Sequence, residues 1–186
     1  RPRRADLAGP APGPGHRQGG RVLLQIGLSK SWKVWSADIS TAFLQGDPLD
    51  EPGYASIPKE ANQNPDEVLE VYVCVYGLGD GPRCWNKRFS RDQLQLGAKK
   101  AYTDPCVYCF YAMGDGTKED QILDWSKARN QMDLSQATLI GLLGVHVDDV
   151  RCTGNALFER CIKPKIEQLY EWGAWDTMKY KYTGVL

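Results

Sequence analysis

Apolar residues fall in short runs separated by Gly-, Pro- and charge-rich stretches. Arg21–Leu28 (RVLLQIGL) predicts a short helix, and Trp32–Asp38 (WKVWSAD) a strand. Thr41–Leu44 predicts a turn of helix, and the polar, Pro-containing Gly46–Gly53 a loop. Val68–Tyr76 (VLEVYVCVY) has the β-branched and aromatic richness of a strand, punctuated by Gly77–Pro82. Arg83–Leu96 is the clearest amphipathic helix: Trp85, Phe89 and Leu96 share a face, and Gly97 is a natural stop. Cys106–Tyr111 predicts another strand, and the polar Gly114–Gln136 a long surface insertion. Leu139–Val147 reads as a buried strand, followed by Asp148-Asp149 and a return strand, Val150–Thr153. Asn155 is placed to cap a helix reaching Trp172, with Phe158, Ile162, Ile166 and Leu169 as its core stripe and Pro164 as a kink. Lys179–Val185 alternates like a strand, and no internal repeat is visible. Hairpins mixed with helices, without regular βαβ alternation, predict an α+β fold with a mainly antiparallel sheet and packed helices.

Composition narrows the picture. At 186 residues, 42% hydrophobic and 25% charged, the chain can build one domain with a real core. Lys plus Arg and Asp plus Glu balance at 23 each. The excess of basic residues carried by most proteins that grip nucleic acid is missing, which counts against a complete nucleic-acid-binding unit but not against a catalytic core. No apolar run approaches the ~20 residues needed to span a membrane, and the basic start, Arg1–Arg4, has no apolar segment after it to make a secretory signal. An intracellular location and no membrane partner are expected, with the compartment left open. Residues 1–20, rich in Pro and Gly, read as disordered and unrelated to the rest of the chain, leaving 21–186 as the core with its insertion at 114–136. Of the six cysteines only Cys106 and Cys109 form a CxxC pair, and no second pair complements it, so reduced thiols are expected rather than a zinc site.

Two acidic positions carry the candidate chemistry. Asp38 ends an apolar strand, and Asp148 and Asp149 occupy the tip of an apolar hairpin. Adjacent carboxylates there repel each other and are costly to desolvate, which a hard cation such as Mg²⁺ would relieve. Phosphoryl transfer uses such carboxylates to hold two ions about 3.5–4 Å apart. The plainer readings are a polar turn for Asp148-Asp149 and a helix N-cap for Asp38.

The words around these residues resemble those of a known family. Ser36–Asp47 (SADISTAFLQGD) resembles motif A of copia-type retrotransposon reverse transcriptases, and Val145–Val150 (VHVDDV) their motif C. Tyr76–Trp85 (YGLGDGPRCW) is similar to the family's Y-G-L-K-Q-x-P-R-x-W, and Tyr102–Tyr108 (YTDPCVY) to its D-x-C-x-aromatic segment. Phe158–Gly173 with Tyr180–Gly184 resembles the closing helix and strand. The five segments stand in family order across roughly residues 20–186.

The resemblance implies a reverse-transcriptase palm with part of the fingers, adding deoxynucleotides to a primer 3′-hydroxyl with two Mg²⁺ ions, Mn²⁺ being a possible substitute. It implies metal binding by Asp38, the backbone carbonyl of Ile39, Asp148 and Asp149, with Asp149 least directly engaged. Phe43 would limit the sugar by blocking a 2′-hydroxyl, Gly77 and Arg83 would meet the nucleotide, and Pro82 and His146 the nucleic acid. The partners implied are an RNA or DNA template-primer and dNTPs. Gly79-Asp80 replaces the family's Lys-Gln, residues 1–20 do not resemble its basic fingers segment, and thumb, RNase H and integrase regions of the parent polyprotein are expected outside this sequence. The isolated chain is therefore expected to be weakly active or inactive. The alternative is a non-catalytic remnant of a decayed element.

Overall fold

A computed structural model describes residues 16–57, 60, 64, 67–77, 81–127 and 134–177. The segment Lys179–Val185 and the pair Gly79-Asp80 lie outside the described residues. The chain divides into two compact units, one containing Thr41–Phe89 and the other Pro12–Ser40 with Ser90–Leu186.

The larger unit is built on a six-stranded sheet. Its elements are helix α1 (His16–Ser29) and strand β1 (Lys33–Asp38), then, after the smaller unit, β4 (Lys99–Lys100), β5 (Val107–Met113), β6 (Ala137–His146) and β7 (Asp149–Gly154). Helices α3 (Ala156–Cys161) and α4 (Lys163–Glu167) and strand β8 (Asp176–Thr177) complete it. The strand order is β4-β5-β6-β7-β1-β8, and every pairing is antiparallel. The α+β class with a mainly antiparallel sheet is thus observed.

Both faces of this sheet are covered. On one, Leu23 of α1 packs with Val34 and Leu142. Gly27 lets the helix come close, since a Cβ there would lie 2.6 Å from Thr153 Oγ1. On the other face the ring of Phe158 lies against Gly141 and Gly154, which are register partners across β6 and β7. A Cβ on either glycine would fall 2.1 and 2.4 Å from that ring. Burial on both faces explains why β6 is a continuous apolar run rather than an alternating one.

Several boundaries differ from the sequence reading. Helix α1 begins at His16, inside the stretch read as disordered; residues 1–15 lie outside the described ones. The helix expected from Asn155 to Trp172 is two short helices. Asn155 caps the first, its side chain accepting from the Phe158 N–H, and Pro164 sits in the first turn of the second, where its missing N–H costs nothing. In the stretch read as a surface insertion, Leu123 is buried, its N–H donates to the Tyr111 carbonyl, and Trp125 meets Tyr111 edge-on. Two apolar side chains are enough to tie a polar segment to β5.

In the smaller unit, β2 (Pro48–Ser56) and β3 (Val68–Val73) form a two-stranded sheet, followed by helix α2 (Gly81–Gln95), which belongs to this unit through Phe89. The loop expected at Gly46–Gly53 is largely strand. Pro48 and Pro52 are tolerated because a two-stranded sheet has open edges, and the register shifts between Pro48 and Gly53. Trp85 and Phe89 are buried on α2 as expected, their rings 5.7 Å apart. Among the described residues no helix is long and apolar enough to cross a membrane.

Candidate metal-binding carboxylate site

Antiparallel pairing of β1 with β7 sets Asp38 directly opposite Asp149. The Ile39 N–H donates to the Asp148 carbonyl at 2.9 Å, so backbone bonds alone fix the two acidic segments side by side. The hairpin tip is short: His146 and Asp149 are register partners, leaving Val147 and Asp148 to turn the chain. Val147 takes φ 60°, a left-handed conformation that costs a β-branched residue on the order of 1–3 kcal/mol. Strain of this kind persists where surrounding pairing over-determines the backbone, and here β6 and β7 pair without a break from Gly141–Gly154 to His146–Asp149.

Asp38 is exposed, Asp148 and Asp149 half-buried. The Asp38 carboxyl is held above the usual carboxylate range, by loss of hydration first and then by the charges of Asp148 and Asp149. Asp149 is engaged elsewhere: Arg151 donates to its Oδ2 at 2.9 Å. Among the described residues no three His, Cys, Asp or Glu side chains gather closely enough, as they stand, to hold a metal ion. The chemistry of the donor set still fits a hard divalent cation. Asp38 and Asp149 sit on neighbouring strand ends with Asp148 in the turn beside them, and carboxylate oxygens are the ligands such a cation prefers.

The structure keeps β1 in register from its other side too. The Gly173 N–H donates to the Asp38 carbonyl at 2.8 Å, the Ser40 N–H to the Glu171 carbonyl at 2.9 Å, and Ile39 bridges to Trp172. Sequence reasoning missed this segment, because nothing in its composition marks it as a partner of β1. The signal available was its density of aromatic rings, Tyr170, Trp172 and Trp175.

The other residues of interest are spread over both units. Ile39 is fully buried, and His146 is exposed beside the turn. In the smaller unit Phe43 is 7% exposed, on a 3-10 turn, Ala42–Gln45, with its ring 4.5 Å from that of Tyr76 and against Gly81. Gly77 adopts φ 96°, which only glycine accepts without strain, and Pro82 and Arg83 are exposed in the first turn of α2. None of the six cysteines is in a disulfide, four of them are buried, and Cys106 and Cys109 join no metal cluster among the described residues.

An α+β unit whose antiparallel strands set Asp38 opposite Asp149, next to Asp148, is the kind of scaffold nucleotidyl-transfer chemistry uses. The family described as reverse transcriptase (RNA-dependent DNA polymerase) matches residues 17–123, more than half of the sequence, and the chain belongs to that family. Among curated relatives, a retrovirus-related Pol polyprotein from transposon TNT 1-94 of Nicotiana tabacum is 34% identical over 47% of this chain and 7% of its own length. One from transposon RE2 of Arabidopsis thaliana is 25% identical over 73% of this chain and 8% of its own length. A putative transposon Ty5-1 protein of Saccharomyces cerevisiae is 33% identical over 42% of this chain and 26% of its own length. The chain therefore corresponds to a small part of the curated relatives it matches. No solved structure matches.

Proposed function

We propose that this chain is the polymerase core of a copia-type retrotransposon Pol polyprotein, with the larger unit supplying palm and the smaller unit fingers. One observation carries the reading: β1–β7 register sets Asp38 opposite Asp149, with Asp148 bonded through its carbonyl to Ile39. Asp38 and Asp148 would hold Mg²⁺, assisted by the Ile39 carbonyl, and Asp149 would contribute less because Arg151 engages it. When bound, the cation would lower the pKa of a primer 3′-hydroxyl and neutralise charge on the departing pyrophosphate. The chain's own contribution is positional: the paired strands keep the carboxylates in register. Phe43, stiffened by the Tyr76 ring, would set the limit on the sugar. Gly77 and Arg83 would meet the nucleotide, and Pro82 and His146 the template-primer. RNase H, integrase and thumb regions of the parent polyprotein would be its covalent partners.

A second reading, a relic of the element without activity, is favoured by the fact that, among the described residues, no three potential ligands converge as they stand. Primer extension on poly(rA)/oligo(dT) with Mg²⁺ separates the two. Incorporation by the chain that Asp148→Asn abolishes supports the polymerase. A folded chain that incorporates nothing, even with fingers and thumb segments supplied from a relative, leaves the relic.

A further inference from the structure

The segment Tyr170–Thr177 lies along β1 on the edge away from β7. It makes two hydrogen bonds to Asp38–Ser40, Gly173 N–H to the Asp38 carbonyl and Ser40 N–H to the Glu171 carbonyl, which together form the Ile39–Trp172 bridge. It then pairs Asp176 with Ser36 and Thr177 with Trp35. A stretch with so little regular structure needs anchors, and it has two. At its start Tyr170 is 8% exposed, and its hydroxyl donates to Oδ2 of Asp92, itself 7% exposed, at 3.0 Å. Further along, the Lys163 ammonium lies 4.5 Å from the Trp175 ring and 5.6 Å from that of Trp35, tying the segment to β1 and to the start of α4. Trp172 bridges the anchors, its ring 5.7 Å from Tyr170 and 4.7 Å from Trp175.

We infer that this aromatic strap is a positioning device for the carboxylate site, with Tyr170 and Trp175 as positioning residues that set the backbone of Asp38–Ser40 and thereby the site's affinity for a divalent cation. The inference rests on the polymerase reading above. Its physical basis is that a carboxylate on the last residue of a strand inherits the precision of its backbone. Asp149 fixes that backbone from one side only. The strap fixes it from the other, through two backbone hydrogen bonds held in place by the Tyr170–Asp92 and Trp175–Lys163 contacts.

The test uses the whole chain with Mn²⁺ as probe, read by water proton relaxation, together with amide hydrogen exchange. Tyr170→Phe removes one hydroxyl, and Trp175→Ala removes the ring over Lys163. Each should speed exchange at Ser40 and Gly173 about tenfold while leaving Ile39, bonded to Asp148, and Leu143, inside β6, as slow as before. Each should also weaken Mn²⁺ binding about fivefold. Trp175→Phe, which keeps a ring over Lys163, should stay near wild type. Variants that bind Mn²⁺ as the wild type does, or that leave Ser40 and Gly173 protected, overturn the positioning role alone. A wild-type chain that binds no Mn²⁺ overturns the polymerase reading and, with it, the inference.

Discussion

The molecule contains two hairpins built from similar amounts of apolar sequence, and they come to opposite ends. The β6–β7 hairpin is closed by a two-residue turn and has strand partners on both edges, β5 and β1. Its residues Leu143, Val150 and Cys152 are fully buried. The β2–β3 hairpin has no further strand among the described residues, a long connection and a register shift, and leaves Tyr54, Val68 and Tyr72 about 60% exposed. Pairing on both edges is what lets the first hairpin hold a strained Val147 and like charges at its tip. A hairpin open on both edges could hold neither, since nothing around it would over-determine the backbone.

The largest expected contrast comes from removing one ring from each hairpin's surroundings. Phe158→Ala empties the space over the Gly141–Gly154 pair and should cost about 3–5 kcal/mol. Tyr54→Ala on β2 should stay within about 0.5 kcal/mol. Urea unfolding followed by circular dichroism measures both, and equal losses would break the comparison.

Alkali should act on the six-stranded sheet next. Burial pushes the Cys152 thiol on β7 up to about 12, and burial likewise raises Tyr108 on β5 to about 12. Both are acids that ionise more readily in the unfolded chain. The stability they contribute is therefore whole below pH 9 and is lost as pH rises toward 12, at up to about 1.4 kcal/mol per pH unit per group. Thermal unfolding between pH 8 and 11 should show a falling midpoint, and Cys152→Ala should make the fall shallower, leaving the part due to Tyr108. A midpoint independent of pH would mean that both Cys152 and Tyr108 are open to solvent.

How much of this was legible in sequence follows the same divide. Strands β1, β5, β6 and β7 of the six-stranded sheet were found because burial writes itself as β-branched and apolar runs, as in Leu139–Val147, while the two-residue edge strands β4 and β8 were not; the Asn155 cap was found because Asn before a helix has a local mechanism. Strand β2 was missed because its partner, not its own composition, makes it a strand: PLDEPGY has two prolines and three acidic or glycine positions against any propensity for it. The acidic positions of the candidate site were legible as strand ends. The strap was not, because its pairing with β1 is long-range and its anchors, Asp92 and Lys163, lie on separate elements.

Val147→Gly tests the strain at the closed tip. Glycine takes φ 60° freely, so the turn should relax and the chain gain about 1 kcal/mol, less what glycine's greater unfolded-state freedom removes. For a chain of this size, a gain of that order raises the melting temperature by roughly 2–4 °C. Primer extension should fall at the same time, because the relaxed turn no longer holds Asp148 against Ile39. A glycine variant less stable than wild type would show that packing of the Val147 side chain, not its backbone, dominates the tip.

The smallest change in stability should come from the residue on which the functional reading depends most. Asp38 is exposed, its carboxyl makes no described hydrogen bond, and its nearest charges, Asp148 and Asp149, repel it. Asp38→Asn keeps the shape and removes the repulsion, so in EDTA the fold should be unchanged or firmer by no more than about 0.5 kcal/mol. Mn²⁺ binding and primer extension should be lost outright. The two readouts must diverge if the carboxylate is there for a cation. If Asp38→Asn instead weakens the fold, the charge has a structural partner in the native chain, and the closed hairpin owes its precision to that partner rather than to its paired edges.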